Sequence, residues 1–587
     1  MISHEQITQS LTFSPVLGES PRCQAVQTSD GTVRLTVHFP EDSRRGVPME
    51  MRFSLPVCGY HYLWHPTVGR DRRIHNVWED TIPTMTSVSA PVFSLLDAQG
   101  ESVFALALSE TKKPLDWCLG VEEETAHFVC GIQFPADCFH QKGGWDLTVL
   151  LDTRPQPLPQ ALRTVRIFWE QECGKIPMEV PADAEESLYS TWYSYHQNVT
   201  AEKVEEECRR AAALGMKTVI LDDGWQTGDG NRGYAFCGDW EVYTPKFPDM
   251  RAHVDRVHAL GMKYIVWFSV PFVGKNSRVF ARFRDKLLHF DEKFGAGVLD
   301  PRYPQVRGYL TGIYRDRMTQ YGWDGLKLDF VDEFHEWEDT PPVSAQMDCP
   351  CIQDGVEKLM IEIRQAVVEV CPHAMIEFRQ RYIGPDMRAF GNMFRVSDCP
   401  LDVLSNRVGI ADLRMLSGDT AVHSDMLLWH PQETAENAAR QIWQVLFGVV
   451  QISVPLASLS PRQEKMLRFL LQFRRENREI LLKAPLHVQS PQSLYPVMWA
   501  MRKGRIIALC CEGSCAVRLP AEKSLCLVNA SGEDTLLLRL ENSGRYRAVF
   551  YNCCGEKTGE QVLTVRAGAV TPLPVPVSGL AELQAQE

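Results

Sequence analysis

The chain has 587 residues, too many for one hydrophobic core, so two to four domains are expected. Apolar residues make up 44% and charged residues 23%, as in an ordinary globular protein, and the net charge of −13 argues against nucleic acid and anionic membrane surfaces as partners. No apolar run is long enough for a membrane span, and no basic stretch followed by an apolar core opens the chain, so a cytoplasmic location is expected.

Residues 1–175 read as an N-terminal β-sandwich. Short alternating runs such as TVRLTVHF, MRFSLPV, SVFALAL and VRIFW are separated by turn signals such as Asp30-Gly31 and Gly143-Gly144. Trp64, Trp78 and Trp117 suit a sandwich core or an interface better than a sugar platform. Residues 176–188 are proline-rich and acidic and read as a linker.

From Tyr189 the pattern alternates strand and helix. YSTWYSY, KTVILDD, KYIVWFS, GLKLDFV, AMIEFR, MFRVSD, AVHSDM and FGVVQISVPLA give eight strands, with VLD at 298–300 as a competitor. Intervening helices are predicted over Ala201–Leu214, with Thr200 as N-cap and Gly215 as stop, and from Gln305 to Gln320 and Asp354 to Val370. A strand–helix unit repeated eight times is a (β/α)8 TIM barrel, here within residues 176–483. A C-terminal β-sandwich is predicted over 484–575, and 576–587 read as a frayed tail.

The 18 cysteines lack zinc-site spacing and suit free thiols in a reducing compartment, and the sequons at Asn198 and Asn529 read as chance matches. No metal or cofactor motif is found, so none is expected. Asp332, Glu333 and Glu336 could imitate a cation site but read as a solvated loop.

Acids fall at the predicted carboxyl ends of the strands, where a barrel builds its site. They are Asp222-Asp223, Asp329, Asp398 and Asp425. One such residue is often a helix cap; four ends are hard to explain so. Glycoside cleavage needs two carboxyl groups about the scissile bond. Asp329, near Lys327, suits an ionised nucleophile, and Asp398 suits an acid/base with a raised pKa. Paired acids such as Asp222-Asp223 accept hydrogen bonds from sugar hydroxyls, and Trp225, Trp240 and Trp267 either stack on a sugar or pack the pocket.

LDDGW (221–225), GDWEVYTPKFPDM (238–250), GMKYIVWFSVP (261–271), LKLDF (326–330) and RVSD (395–398) together resemble glycoside hydrolase family 36, the α-galactosidases. The resemblance implies a retaining exo-α-galactosidase acting on an oligosaccharide or glycoside, with Asp329 as nucleophile and Asp398 as acid/base. It also implies that Asp222 and Asp223 hold the 4- and 6-hydroxyls of galactose, that Lys327 contacts the sugar and that Trp240 lines the pocket. The chain departs from the family after the fifth strand. IEFRQRYIGPDM stands where a Cys- and Gly-rich loop is usual, so Glu377, Arg379 and Arg381 become candidates for the sugar's 2-position, and Val396 replaces a Trp. An α-N-acetylgalactosaminidase, an enzyme for a modified sugar, a galactosyl transferase and a non-catalytic binder stay open beside the α-galactosidase. The oligomeric state is left open.

Overall fold

A computed structural model describes residues 4–15, 19–41, 47–79, 81–139 and 143–586. Two antiparallel sheets form the N-terminal sandwich. One runs, in spatial order, Thr12–Ser14, Met49–Pro56, His127–Phe134, Leu115–Glu122 and Thr81–Thr84; the other is built around Val33–Phe39, Trp145–Asp152 and Glu101–Leu108. In Val33–Phe39 every second side chain is fully buried, the period-2 signature of a strand with one face on a core. VRIFW is not a strand. Leu158–Ile167 is an α-helix, continued by a wider turn over Phe168–Glu172. Leu158, Ala161, Leu162 and Val165 bury one helical stripe, and prolines at the first turn set the start. The β-branched residues there gave a strand signal that this packing overrides.

Eight parallel strands form the barrel sheet: Leu188–Ser190, Thr218–Leu221, Lys263–Ser269, Gly325–Asp329, Met375–Arg379, Met393–Arg395, Ala421–His423 and Gln451–Ile452. The eighth pairs with the first, and a bridge from His423 to Val449 joins the seventh strand to the segment leading into the eighth, closing the barrel. The first strand is shorter than YSTWYSY: after Ser190 the chain turns into the short helix Trp192–Tyr195, with Tyr195 N–H bonded to Thr191 O at 3.0 Å. The segment at 298–300 is no barrel strand. Ala296–Leu299 lies in a three-stranded antiparallel excursion with Phe272–Gly274 and Leu287–Asp291. The helix Ala201–Leu214 starts on the Thr200 hydroxyl and stops at left-handed Gly215, as its sequence implies.

The C-terminal module has a seven-stranded and a three-stranded sheet. The expected tail is part of it: Leu580–Ala585 is a strand between Ser524–Asn529 and Gly544–Tyr551. Leu580, Ala581 and Leu583 are buried there, and that burial fixes a segment whose composition looked disordered. Among the described residues no helix is long and apolar enough to cross a membrane, and no cysteine pair forms a disulfide.

Candidate active site

The fourth strand carries the site's central charges on one face. Lys327 and Asp329 are two residues apart and both buried. Lys327 Nζ donates to Asp222 Oδ2 at 2.6 Å, so its ion-pair partner is the acid of the second strand and not Asp329. Burial lowers the ammonium pKa, but Asp222 more than restores it and keeps Lys327 charged.

Asp329 accepts four hydrogen bonds. Trp267 Nε1 donates to Oδ2 at 3.0 Å. Arg379 Nε at 2.7 Å, Tyr382 Oη at 3.1 Å and Phe330 N–H at 2.8 Å donate to Oδ1. Burial alone would raise its pKa; Arg379, then Lys327 and the Trp267 bond, outweigh this and hold it well below the usual carboxylate range. An anion so held is ready to attack without deprotonation.

Asp223 accepts from Gln197 Nε2 and Gln226 Nε2, each at 2.7 Å. Burial pushes its pKa up to about 6 against those bonds. Asp222 and Asp223 are both buried at the end of the second strand, beside Lys327.

Asp398 departs from expectation. Its side chain is half-exposed, and Arg395 Nη2 donates to its Oδ1 at 2.7 Å. Burial of the carboxyl pulls its pKa up, but the Arg395 guanidinium outweighs this and the pKa is lowered, with the Asp329 charge opposing. Arg395 also bonds Asp425 and faces Glu377 Oε1 at 3.7 Å, so one buried guanidinium serves three carboxylates. Asp425 further accepts from Tyr193 Oη at 3.0 Å and Cys399 N–H at 2.7 Å.

The other candidates divide by where they lie. Trp267 belongs to the site through its bond to Asp329. Trp225 is fully buried, donates to Trp267 O at 3.0 Å and stacks on Trp240 at 6.1 Å, so it supports the wall and does not face a sugar. Trp240 is buried as well, packed edge-on against Trp267 at 6.0 Å, with its Nε1 lacking a hydrogen-bond partner. Glu377 is fully buried inside the barrel and bonded to Gln451 Nε2 at 2.5 Å, beneath the site and not at its surface. Arg379 turns onto Asp329, whereas Arg381 is exposed. The two do not share a face as strand alternation implies, because the strand ends at Arg379.

Sequence reasoning missed Tyr382 and Arg395 as an ion-pair hub, and it read Asp332 as part of a solvated loop. Asp332 lies 3.8 Å from Arg379 Nη2, and its Oδ1 is buried without a hydrogen-bond partner. Nothing in residue spacing marks Tyr382, since its role depends on the loop folding back over the fourth strand. Among the described residues no group of His, Cys, Asp and Glu could hold a metal ion.

Comparison with known proteins follows the same outline. The Melibiase family model matches residues 179–349. An α-galactosidase of Lactobacillus acidophilus is 31% identical over 103 residues, covering 17% of this chain and 14% of that enzyme. An Escherichia coli α-galactosidase is 31% identical over 150 residues, or 24% of this chain and 21% of that enzyme. Among solved structures, the α-galactosidase AgaA of Geobacillus stearothermophilus superposes with a TM-score of 0.66 at 15% identity, over 98% of this chain and 86% of that one. The family model thus lies on the barrel's first half, the chain matches only 14% and 21% of the length of these two curated relatives, and the fold is shared over nearly the whole chain with a solved α-galactosidase structure.

Proposed function

We propose that the protein is a retaining exo-α-galactosidase that releases terminal α-linked galactose from oligosaccharides. The observation that carries the reading is Asp329, held ionised at the carboxyl end of a barrel strand beside the Lys327–Asp222–Asp223 set. Asp222 and Asp223 offer carboxylate acceptors to the hydroxyls that distinguish galactose, and Asp329 attacks the anomeric carbon. Asp398 protonates the leaving oxygen and then activates water. For it to carry the proton, Arg395 must rest its charge on Asp425 and Glu377, the two buried carboxylates it already faces. The negative charge of Asp329 helps in the free enzyme, and its loss in a galactosyl ester favours the base form for the second step. Support also comes from relatives: structures of AgaA variants are complexes with raffinose and with stachyose.

A panel of p-nitrophenyl α-glycosides, with NMR of the first-formed anomer, tests this. The α-galactoside should be the best substrate and release the α-anomer first; Asp329→Ala should lose activity on the order of 10⁴-fold or more while keeping its fold. Preference for the α-glucoside, or full activity in the variant, refutes the proposal.

A second reading rests on Arg379. Its guanidinium lies within hydrogen-bond reach of Asp329 and is available to an acetamido or anionic 2-substituent if a substrate draws it away. Higher kcat/KM on the N-acetylgalactosaminide in the same panel would select this reading.

A further inference from the structure

Phe330 follows Asp329 in the left-handed region, at φ 62°, a conformation that a bulky side chain rarely adopts and that clusters at functional positions. It leads into the single 3-10 turn Val331–Glu333, which brings Asp332 back within reach of the Asp329 charge. Arg379 stands between the two acids. Its Nε donates to Asp329 Oδ1 at 2.7 Å, and its Nη2 stops 3.8 Å from Asp332 Oδ1. That Asp332 oxygen is buried and has no hydrogen-bond partner. Among the described residues Arg379 is the one cation within 4.0 Å of the Asp332 carboxylate.

The guanidinium has a track to move along. The Phe330 and Tyr382 rings lie 5.3 and 5.5 Å from its carbon, so a shift between the acids keeps both ring contacts. Closing the gap to Asp332 to a hydrogen bond takes about 1 Å of side-chain motion. The backbone on either side is held: Gln380 N–H donates to Arg395 O and Ser89 N–H to Arg381 O, each at 2.9 Å. Asp329 is held as well, because Tyr382 Oη at 3.1 Å and Phe330 N–H at 2.8 Å still bind its Oδ1 when Arg379 leaves. Burial raises the Asp332 pKa, Arg379 opposes this, and the Asp329 charge adds to it. Removing the Asp329 charge therefore frees Arg379 and eases the ionisation of Asp332 at the same time.

We propose that Asp332 is a positioning residue, the second seat of Arg379: the guanidinium moves from Asp329 to Asp332 when the galactosyl ester forms and returns when the ester breaks. The inference rests on the α-galactosidase reading of Asp329. In the first step an Asp329 oxygen bonds the anomeric carbon, the bond from that carbon to the leaving oxygen breaks, and Asp398 gives that oxygen its proton. Oδ2, with one donor against three on Oδ1, is the oxygen freer to attack. Asp329 is then an uncharged ester, and Arg379 keeps a charge partner by turning to Asp332. In the second step Asp398 takes a proton from water, the water oxygen bonds the anomeric carbon, and Asp329 leaves as a carboxylate to which Arg379 returns. Asp332 thus favours the ester over the free enzyme.

5-Fluoro-α-galactosyl fluoride traps such an ester, so labelling and reactivation, followed by intact mass, time the two steps separately. Asp332→Asn should slow labelling about tenfold and leave reactivation no slower, whereas a merely structural loss slows both. In an Arg379→Met background, Asp332→Asn should change labelling by less than about twofold, because the seat has no occupant. Unchanged labelling in Asp332→Asn, or an equal loss with and without Arg379, overturns the proposal. A second measurement needs neither an Asp332 variant nor turnover: a crystal structure of Asp329→Asn, in which a neutral amide replaces the charge. Arg379 Nη2 should then lie within about 3.2 Å of Asp332; Arg379 still seated at position 329 overturns the proposal. If the wild type takes no label, or peptide mapping puts the label elsewhere than Asp329, the reading of Asp329 fails and the proposal with it. Label on Asp329 without the Asp332→Asn effect sinks the proposal alone.

Discussion

At the scale of one residue, Asp223 sets two opposing pH dependences. Burial raises its pKa to about 6. A carboxyl raised in the folded state favours folding in its protonated form, so this contribution is fully present below its ordinary pKa and lost as pH rises through about 6. Accepting sugar hydroxyls with both oxygens needs the ionised form, which appears over the same window. Asp329 cannot produce that limb, because it is held ionised far below it. Burial lowers the pKa of nearby Lys246, and the Asp223 charge opposes that. We therefore expect kcat/KM for p-nitrophenyl α-galactoside, measured from about pH 4 to 8, to fall on the acid side with a midpoint near 6, and Asp223→Asn to lose that limb along with most activity. A limb centred near the ordinary carboxylate value would contradict the assignment.

At the scale of an element, the fourth strand has no room for a side chain at its first position. A Cβ on Gly325 would lie 2.1 Å from the Met375 carbonyl oxygen of the neighbouring strand. Gly325→Ala must push the fourth and fifth strands apart, at a cost of about 1–3 kcal/mol. Because Lys327 and Asp329 ride on the same strand, activity should fall with the melting temperature. Gly308, inside the helix Pro304–Tyr321, is the control: nothing lies within 4 Å of its Cβ position, so Gly308→Ala should stabilise by about 0.5–1 kcal/mol. Calorimetric melting of both variants checks the pair.

The barrel strands were legible because buried β-branched runs ending in acids recur at the spacing of a strand–helix unit. Asp222, Asp223 and Asp329 converge for that reason. What spacing does not encode is which cation meets which acid. Lys327 is two residues from Asp329 in sequence but pairs with Asp222 across the barrel, and Arg395 draws Asp398 into a network that includes Asp425. The helix at Leu158–Ile167 and the strand at Leu580–Ala585 were missed because local composition favoured another state, and contacts with distant segments decided them.

At the scale of the molecule, one apolar core is continuous from Trp64 in the sandwich through the barrel to Leu580 in the C-terminal module. A polar node lies along it. Asp412, on the barrel helix Val403–Leu416, accepts from Trp64 Nε1 at 2.8 Å, from Arg72 Nη2 at 3.2 Å and from the Tyr495 hydroxyl. These partners come from the two flanking modules. Asp412→Ala strands the buried Arg72 guanidinium without its carboxylate, at a cost of about 3–5 kcal/mol. Differential scanning calorimetry should show the melting transition lowered and split, where wild type unfolds as one unit. An unchanged single transition would show that the apolar contact alone couples the modules.

The bond from Ser89 N–H to Arg381 O ties a loop at the barrel mouth to a module that contributes no carboxylate to the candidate active site. The shape of that mouth therefore inherits the local opening rate of the sandwich. A fluctuation that frays the sandwich's 83–91 segment removes one support of Arg381 while the eight barrel strands stay paired. Variation in the sandwich, far in sequence from every acid at the strand ends, is then a route by which the barrel mouth changes shape while the residues at the strand ends stay as they are.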